Sequence, residues 1–155
     1  MNMTKEIVKI LICSLIVTGS FGCSYSLPKE QNIPEGFAPY ADSKIVRAVS
    51  SDGVMYRIRR EKNEPFAELA FWKEALKKRM VDAGYTFMKD EDIDMGKRPG
   101  YLLELAAPLG TQDYTYLIAL CLQDDQLVIV EAAGEMTSFK TRRQEIIATV
   151  QGLEP

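Results

Sequence analysis

Few groups in this chain of 155 residues have types or spacings that could do chemistry. They are the cysteines Cys13, Cys23 and Cys121, the acidic run Asp90-Glu91-Asp92-Ile93-Asp94, and the cations Arg57, Arg59, Arg60, Lys77 and Lys78. The chain has no histidine, which removes the commonest general base, the base of a serine triad and the commonest metal ligand. It has no glycine-rich phosphate loop and no Cys-x-x-Cys pair. The expectation is therefore no catalytic residue, no cofactor, no metal and no enzyme activity.

Each remaining group has a plain reading. The carboxylates of Asp90, Asp92 and Asp94 alternate as the first three ligands of a calcium loop do, but Gly96 comes one residue late and Tyr101 stands where the closing bidentate Glu belongs. A solvated acidic loop is the simpler expectation. Cys121 lies inside the apolar run Tyr116–Leu122 with no basic neighbour to lower its pKa, so it reads as a small buried hydrophobe. Arg57 and Arg59 share one strand face, Arg60 and Lys62 follow, and Lys77 and Lys78 lie on a helix. Together they form a possible patch for an acidic protein, headgroup or polysaccharide, against the reading of a face charged for solubility.

Cys23 has the most specific surroundings. Lys5 and Lys9 make a positive start, Ile10–Val17 is apolar apart from Ser14, and Thr18, Gly19, Ser20 and Gly22 are the small residues that a signal peptidase requires. That apolar run is shorter than the roughly 20 residues of a membrane span. Ser20-Phe21-Gly22-Cys23 resembles the lipobox of bacterial lipoproteins, with Ser20 standing where an aliphatic residue is usual. The resemblance implies a signal peptide over 1–22, cleavage before Cys23 and two or more acyl chains there, enough for stable anchoring. Ser24, rather than Asp, after the cysteine implies sorting to the periplasmic face of the outer membrane. The alternative is a secreted domain cut near Gly22 with Cys23 as a plain thiol. Removal of Lys5, Glu6 and Lys9 changes the net charge from −3 to −4, which does not mark a nucleic-acid binder.

Residues 23–43 hold Pro28, Pro34, Gly36 and Pro39 without periodicity and read as a flexible tether with an r.m.s. reach of roughly 25 Å. Within it, Phe37 and Tyr40 could dock on the domain. The folded unit is expected over 44–155. Lys44–Val49 and Val54–Arg60 flank Asp52-Gly53, a hairpin signal in which both residues can take positive φ. Asn63 is placed to cap a helix carrying Leu69, Trp72, Leu76, Met80 and Ala83 on one stripe, which Gly84 ends.

A short strand over Tyr85–Met88 is optional, and Lys89–Gly100 reads as polar loop. Tyr101–Ala107, Tyr114–Leu122 and Leu127–Ala133 then read as an antiparallel meander covered on both faces. Thr141-Arg142-Arg143-Gln144 has capping-box form and opens a last helix with Ile146, Ile147, Val150 and Leu153 inward.

The fold class is α+β, an antiparallel sheet in ββα(β)βββα order with helices packed on it. This order, the Phe71-Trp72 helix ending in Gly84-Tyr85, and the strands Gly100-Tyr101-Leu102-Leu103 and Val128–Glu135 resemble the PsbP-like α/β/α sandwich over about Lys44 to Leu153. The resemblance implies a binding or accessory module and carries over no catalytic residue. Three function classes follow. The first is a membrane-anchored, non-catalytic lipoprotein with a protein partner in the cell envelope. The second is a carrier or sensor of a small apolar ligand or lipid, requiring a cavity lined by residues such as Phe71, Trp72, Met80 and Tyr116. The third is a His-free hydrolase, requiring two convergent carboxylates.

Overall fold

Alternation along Met55–Lys62 decides how the sheet is layered. Tyr56 and Ile58 are buried, whereas Met55 and Arg57 are exposed, so the two faces of this strand meet different surroundings, as period-2 geometry requires. The computed structural model describes residues 32–41, 45–109 and 112–154. The expected signal peptide, Cys23 and the tether up to Gln31 lie outside the described residues.

Seven strands form one antiparallel sheet: β1 Phe37–Pro39, β2 Val46–Ser50, β3 Met55–Lys62, β4 Thr86–Met95, β5 Arg98–Leu109, β6 Gln112–Gln123 and β7 Gln126–Glu135. Their spatial order is β1-β2-β3-β7-β6-β5-β4. Helix α1, Leu69–Asp82, carries the chain from β3 to the far edge, and the meander β4 to β7 returns to pair with β3. Helix α2, Met136–Gln151, follows β7 directly.

The helices take opposite faces. Phe139, Ile146 and Val150 of α2 pack with Tyr56, Ile58, Leu102, Leu117, Val128 and Val130. Leu69, Trp72, Leu76 and Met80 of α1 pack on Leu103, Leu105, Ile118, Leu120 and Ile129. Consecutive residues of β5, β6 and β7 are therefore buried on alternate sides, which accounts for their near-continuous apolar runs.

The α+β class, the hairpin, the meander and the two inward stripes match the expectations, except that Ala83 is the exposed C-cap of α1. Five local readings change. The domain starts before Lys44: Phe37 is buried against Tyr56, Pro34 is buried, and Phe37–Pro39 adds an edge strand to β2. In the first hairpin only Gly53 has positive φ. Ser50 closes the turn by accepting from the Gly53 amide at 3.0 Å and pairing with Val54, a three-residue loop rather than the two-residue form.

Asn63 does not cap α1. Its side chain is spent on the backbone of Ala67 and on the Trp72 indole N–H, 2.7 Å away, and the helix starts after Glu68. Helix α2 starts a full turn before Thr141, because the Glu135 carboxylate accepts the amides of Thr137 and Ser138 and lets Phe139 enter the core.

The largest change is β4. The stretch read as an acidic loop is a ten-residue edge strand, with Ile93 and Met95 buried under α2. Asp90 and Asp92 point to the α1 side, where they pair with Lys77 and Lys73. Alternating carboxylates here are one face of a strand, and their charge also discourages edge-to-edge pairing.

The β4–β5 turn is pinned to the end of α2. Gly96 has φ 64°, its amide donates to Gln151 O at 3.0 Å, and an added Cβ would stand 2.3 Å from Leu153 O. Gly53, at φ 84°, has nothing within 4 Å of its own added Cβ. Gly53→Ala is expected to lose only the conformational part, about 1–2 kcal/mol. Gly96→Ala should lose that amount plus the cost of displacing the α2 terminus, which urea denaturation measures. Equal losses would show that docking this turn on α2 contributes nothing.

Candidate functional site

Helix α1 covers one side of β5 to β7 and leaves the neighbouring β1–β3 half of that face open among the described residues. The register of the first hairpin sets Arg47 opposite Arg57, and the β3–β7 ladder sets Arg57 opposite Glu131. Tyr40 joins the same row, its amide donating to Arg47 O at 2.9 Å. With Met55 and Tyr116, these four side chains line a cleft of about 160 Å³. Tyr40 and Met55 are each about half exposed, at 49% and 51%.

Glu131 organises the floor of the cleft. Its side chain is 6% exposed, and a carboxylate so withdrawn from water needs opposite charge and hydrogen bonds. Arg57 donates from Nε at 2.5 Å and from Nη2 at 3.0 Å, Arg59 from Nε at 2.9 Å, and the Tyr116 hydroxyl donates as well. Burial pushes the carboxyl upward, but the bonds from Arg57, Tyr116 and Arg59 outweigh it and hold Glu131 below the usual Glu range. Burial, then the bond to Glu131, raises the Tyr116 phenol. A carboxylate ionised and engaged in this way anchors the arginines; it is poorly suited to accept a proton from a substrate.

A second buried carboxylate, Glu104, lies on the α2 side. It accepts from Arg143 at 2.9 and 2.5 Å and lies 3.4 Å from Lys89, tying α2 to the sheet. A third cluster joins α1 to the β4 edge. Asp90 accepts from the Tyr101 hydroxyl at 2.7 Å and from Lys77 at 3.0 Å. The Tyr101 bond, then Lys77, lowers the carboxyl of this solvent-facing Asp90. No group of three or more His, Cys, Asp or Glu is arranged to hold a metal among the described residues.

The cations Arg57, Arg59, Arg60, Lys77 and Lys78 do not form one patch. Arg57 and Arg59 share the open face and Glu131, and Arg59 also pairs with Glu61. By the strand's alternation Arg60 belongs to the opposite face, with Tyr56 and Ile58. Lys77 lies over the Phe87 ring at 4.2 Å, and Lys78 pairs with Asp82 at 2.7 Å. Strands β3 and β4 stand four places apart in the sheet, about 19 Å at ordinary strand spacing. Cys121 is buried, and burial raises its thiol pKa. Sequence reasoning passed over Arg47, Met55 and Glu131 as parts of a site. The available signals were the register that the Asp52-Gly53 turn imposes and one charge inside the apolar run Leu127–Ala133.

No protein-family model matches the chain, and no curated protein does. Two solved structures share its architecture. A Pseudomonas aeruginosa protein of unknown function, PA94, named as a candidate regulator, aligns with TM-score 0.60 and 11% identity over 77% of this chain and 97% of its own. The solution structure of cyanobacterial PsbP, CyanoP, from Synechocystis sp. PCC 6803 aligns with TM-score 0.52 and 12% identity over 79% of this chain and 87% of its own. At these identities the likeness concerns the fold, which is PsbP-like.

Replacing Glu131 by Gln should cost about 1–3 kcal/mol at pH 7, because it removes the anion from two arginines and keeps the shape. The folded-state pKa of Glu131 lies below its unfolded value. Its contribution is therefore full above the unfolded pKa of about 4.3 and is lost as pH falls through the folded pKa. Urea denaturation at pH 7, 5, 4 and 3 should show the gap between wild type and Glu131→Gln shrinking toward acid. A gap independent of pH would mean that the carboxylate's charge does not stabilise the fold.

Proposed function

We propose that this chain is a lipoprotein of the cell envelope, anchored through lipid on Cys23 at the periplasmic face of the outer membrane, and that its domain is a non-catalytic accessory module that binds a partner protein. The observation that carries the binding part is the open half of the sheet. A row of side chains projects from β2, β3 and β7 beside Tyr40, has exposed Tyr40 and Met55 at its rim, and is covered by no described element. Rigid, half-apolar surfaces with arginine and tyrosine are suited to protein contacts. The leader pattern around Cys23 supports the anchor. No described helix is long and apolar enough to cross a membrane.

The competing classes gain less support. A carrier would use a cavity between α1 and the sheet, but Trp72, Met80 and Tyr116 pack against the apolar side chains there. Phe71 is half exposed on the helix. The cleft itself, about 160 Å³, is below the usual 300–1,000 Å³ of small-molecule sites. A hydrolase would need two free carboxylates facing each other, whereas Glu131 is committed to Arg57 and Arg59.

Two measurements test the reading. With Cys23→Ala in the full chain, the protein should leave the membrane fraction for the soluble one; unchanged membrane retention would remove the anchor from the proposal. A photoreactive residue at Met55 should crosslink one envelope protein in near-stoichiometric yield, while the same residue at Lys78 should not. Crosslinks to lipid alone from Met55 would replace the partner reading with the carrier reading.

A further inference from the structure

The charges that the described residues bring to the open row do not balance. Arg47, Arg57 and Arg59 face Glu131 and Glu61, and both of these anions are placed on Arg57 and Arg59. Arg47 has the Tyr40 ring, 5.8 Å from its guanidinium carbon, and no carboxylate among the described residues. It is also the direct cross-strand neighbour of Arg57, and like charges at that position repel. Arg57 uses Nε and Nη2 on Glu131, so its Nη1 has no acceptor among the described residues. Among the described residues the row thus offers one guanidinium without a carboxylate and the spare donor of another. An aromatic ring stands on one side, and the exposed Met55 lies next to Arg57 along the strand.

We propose that this cleft takes an acidic segment of the partner protein, with a carboxylate side chain between Arg47 and Arg57 and an adjacent apolar side chain on Met55 and Tyr40. The proposal rests on the protein-binding reading above and supplies the chemistry of the contact. Charge complementarity favours a carboxylate, because it would relieve the Arg47–Arg57 repulsion without disturbing Glu131. Planar guanidinium groups match carboxylates in two-point hydrogen bonding. The flanking apolar surface selects a peptide over a free small anion, which would leave Met55 and Tyr40 in water. Arg47 sits outside the Glu131 cluster, so it can be changed without unpairing a buried charge.

The test titrates detergent-solubilised full chain into a fluorescein-labelled, blocked peptide of alternating glutamate and leucine, and into the same peptide with glutamine for glutamate, reading anisotropy. The glutamate peptide should bind at least tenfold more tightly. Arg47→Gln should weaken it about tenfold, the loss of one charge-assisted contact, and Lys78→Gln should leave it unchanged. Equal affinity for the two peptides, or no effect of Arg47→Gln, overturns the proposal. So does Arg47-dependent binding to phosphatidylglycerol vesicles without peptide binding, which would make the anion a headgroup. The two readings separate cleanly: Met55 crosslinking to a protein that survives Arg47→Gln keeps the docking face and rejects the acidic segment. Peptide binding without any protein crosslink rejects the docking reading alone.

Discussion

The antiparallel ladder between β3 and β7 is the constraint on which the rest of the molecule depends. It joins eight residue pairs from Met55↔Ala133 to Lys62↔Gln126, between segments 74 residues apart at Arg57 and Glu131. Without it the first hairpin and the returning meander are separate ribbons, each with one unsatisfied edge. Its register is not free. A slip of one residue would turn Tyr56 and Ile58 out of the α2 core and bury Arg57 among apolar side chains. The Arg57–Glu131–Arg59 cluster adds an electrostatic check, since the observed pairing brings both guanidinium groups to the buried Glu131 carboxylate. Ion pairs of this kind are weak evidence for stability because desolvation offsets most of their attraction, and their contribution here is better described as choice of register.

That seam also explains why a site exists at all. The connection from β3 to β4 must reach the far edge before the meander can return, so α1 is drawn over β5 and β6 and cannot cover β2 and β3. Helix α2, arriving straight from β7, covers the other face instead. The open half-face is thus a consequence of chain order, and the residues on it are those that tolerate partial water: Tyr40, Arg47, Met55 and Arg57. The three-layer packing is shared with proteins of only 11% and 12% identity. Such likeness fixes layers and topology and leaves the chemistry of the open face to each sequence.

Much of the fold was legible because long elements have strong periods. The stripe Leu69, Trp72, Leu76, Met80 and the apolar meander strands need no tertiary knowledge to be read. The misreadings concern polar residues whose partners are remote. Asp90 and Asp92 look like loop residues until Lys77 and Lys73 of α1 are placed over them. Asn63 looks like a cap until Trp72 and Ala67 claim its side chain. Glu135, ending a strand, gives no local hint that it also starts a helix. The candidate site was the least legible part, since Arg47, Arg57 and Glu131 meet only through two registers. The basic set foreseen from sequence was divided between the two faces and the far edge of the sheet.

The earlier start of the folded unit changes what anchoring would do. With Asn32 already hydrogen-bonded to the backbone of Glu154, no more than nine residue steps separate Cys23 from the domain. Even fully extended they span about 30 Å, whereas a tether ending at residue 43 would span roughly twice that. Lipid at Cys23 would therefore hold the end of α2 and the β4–β5 turn docked on it, beside which Asn32 lies, within about 30 Å of the membrane.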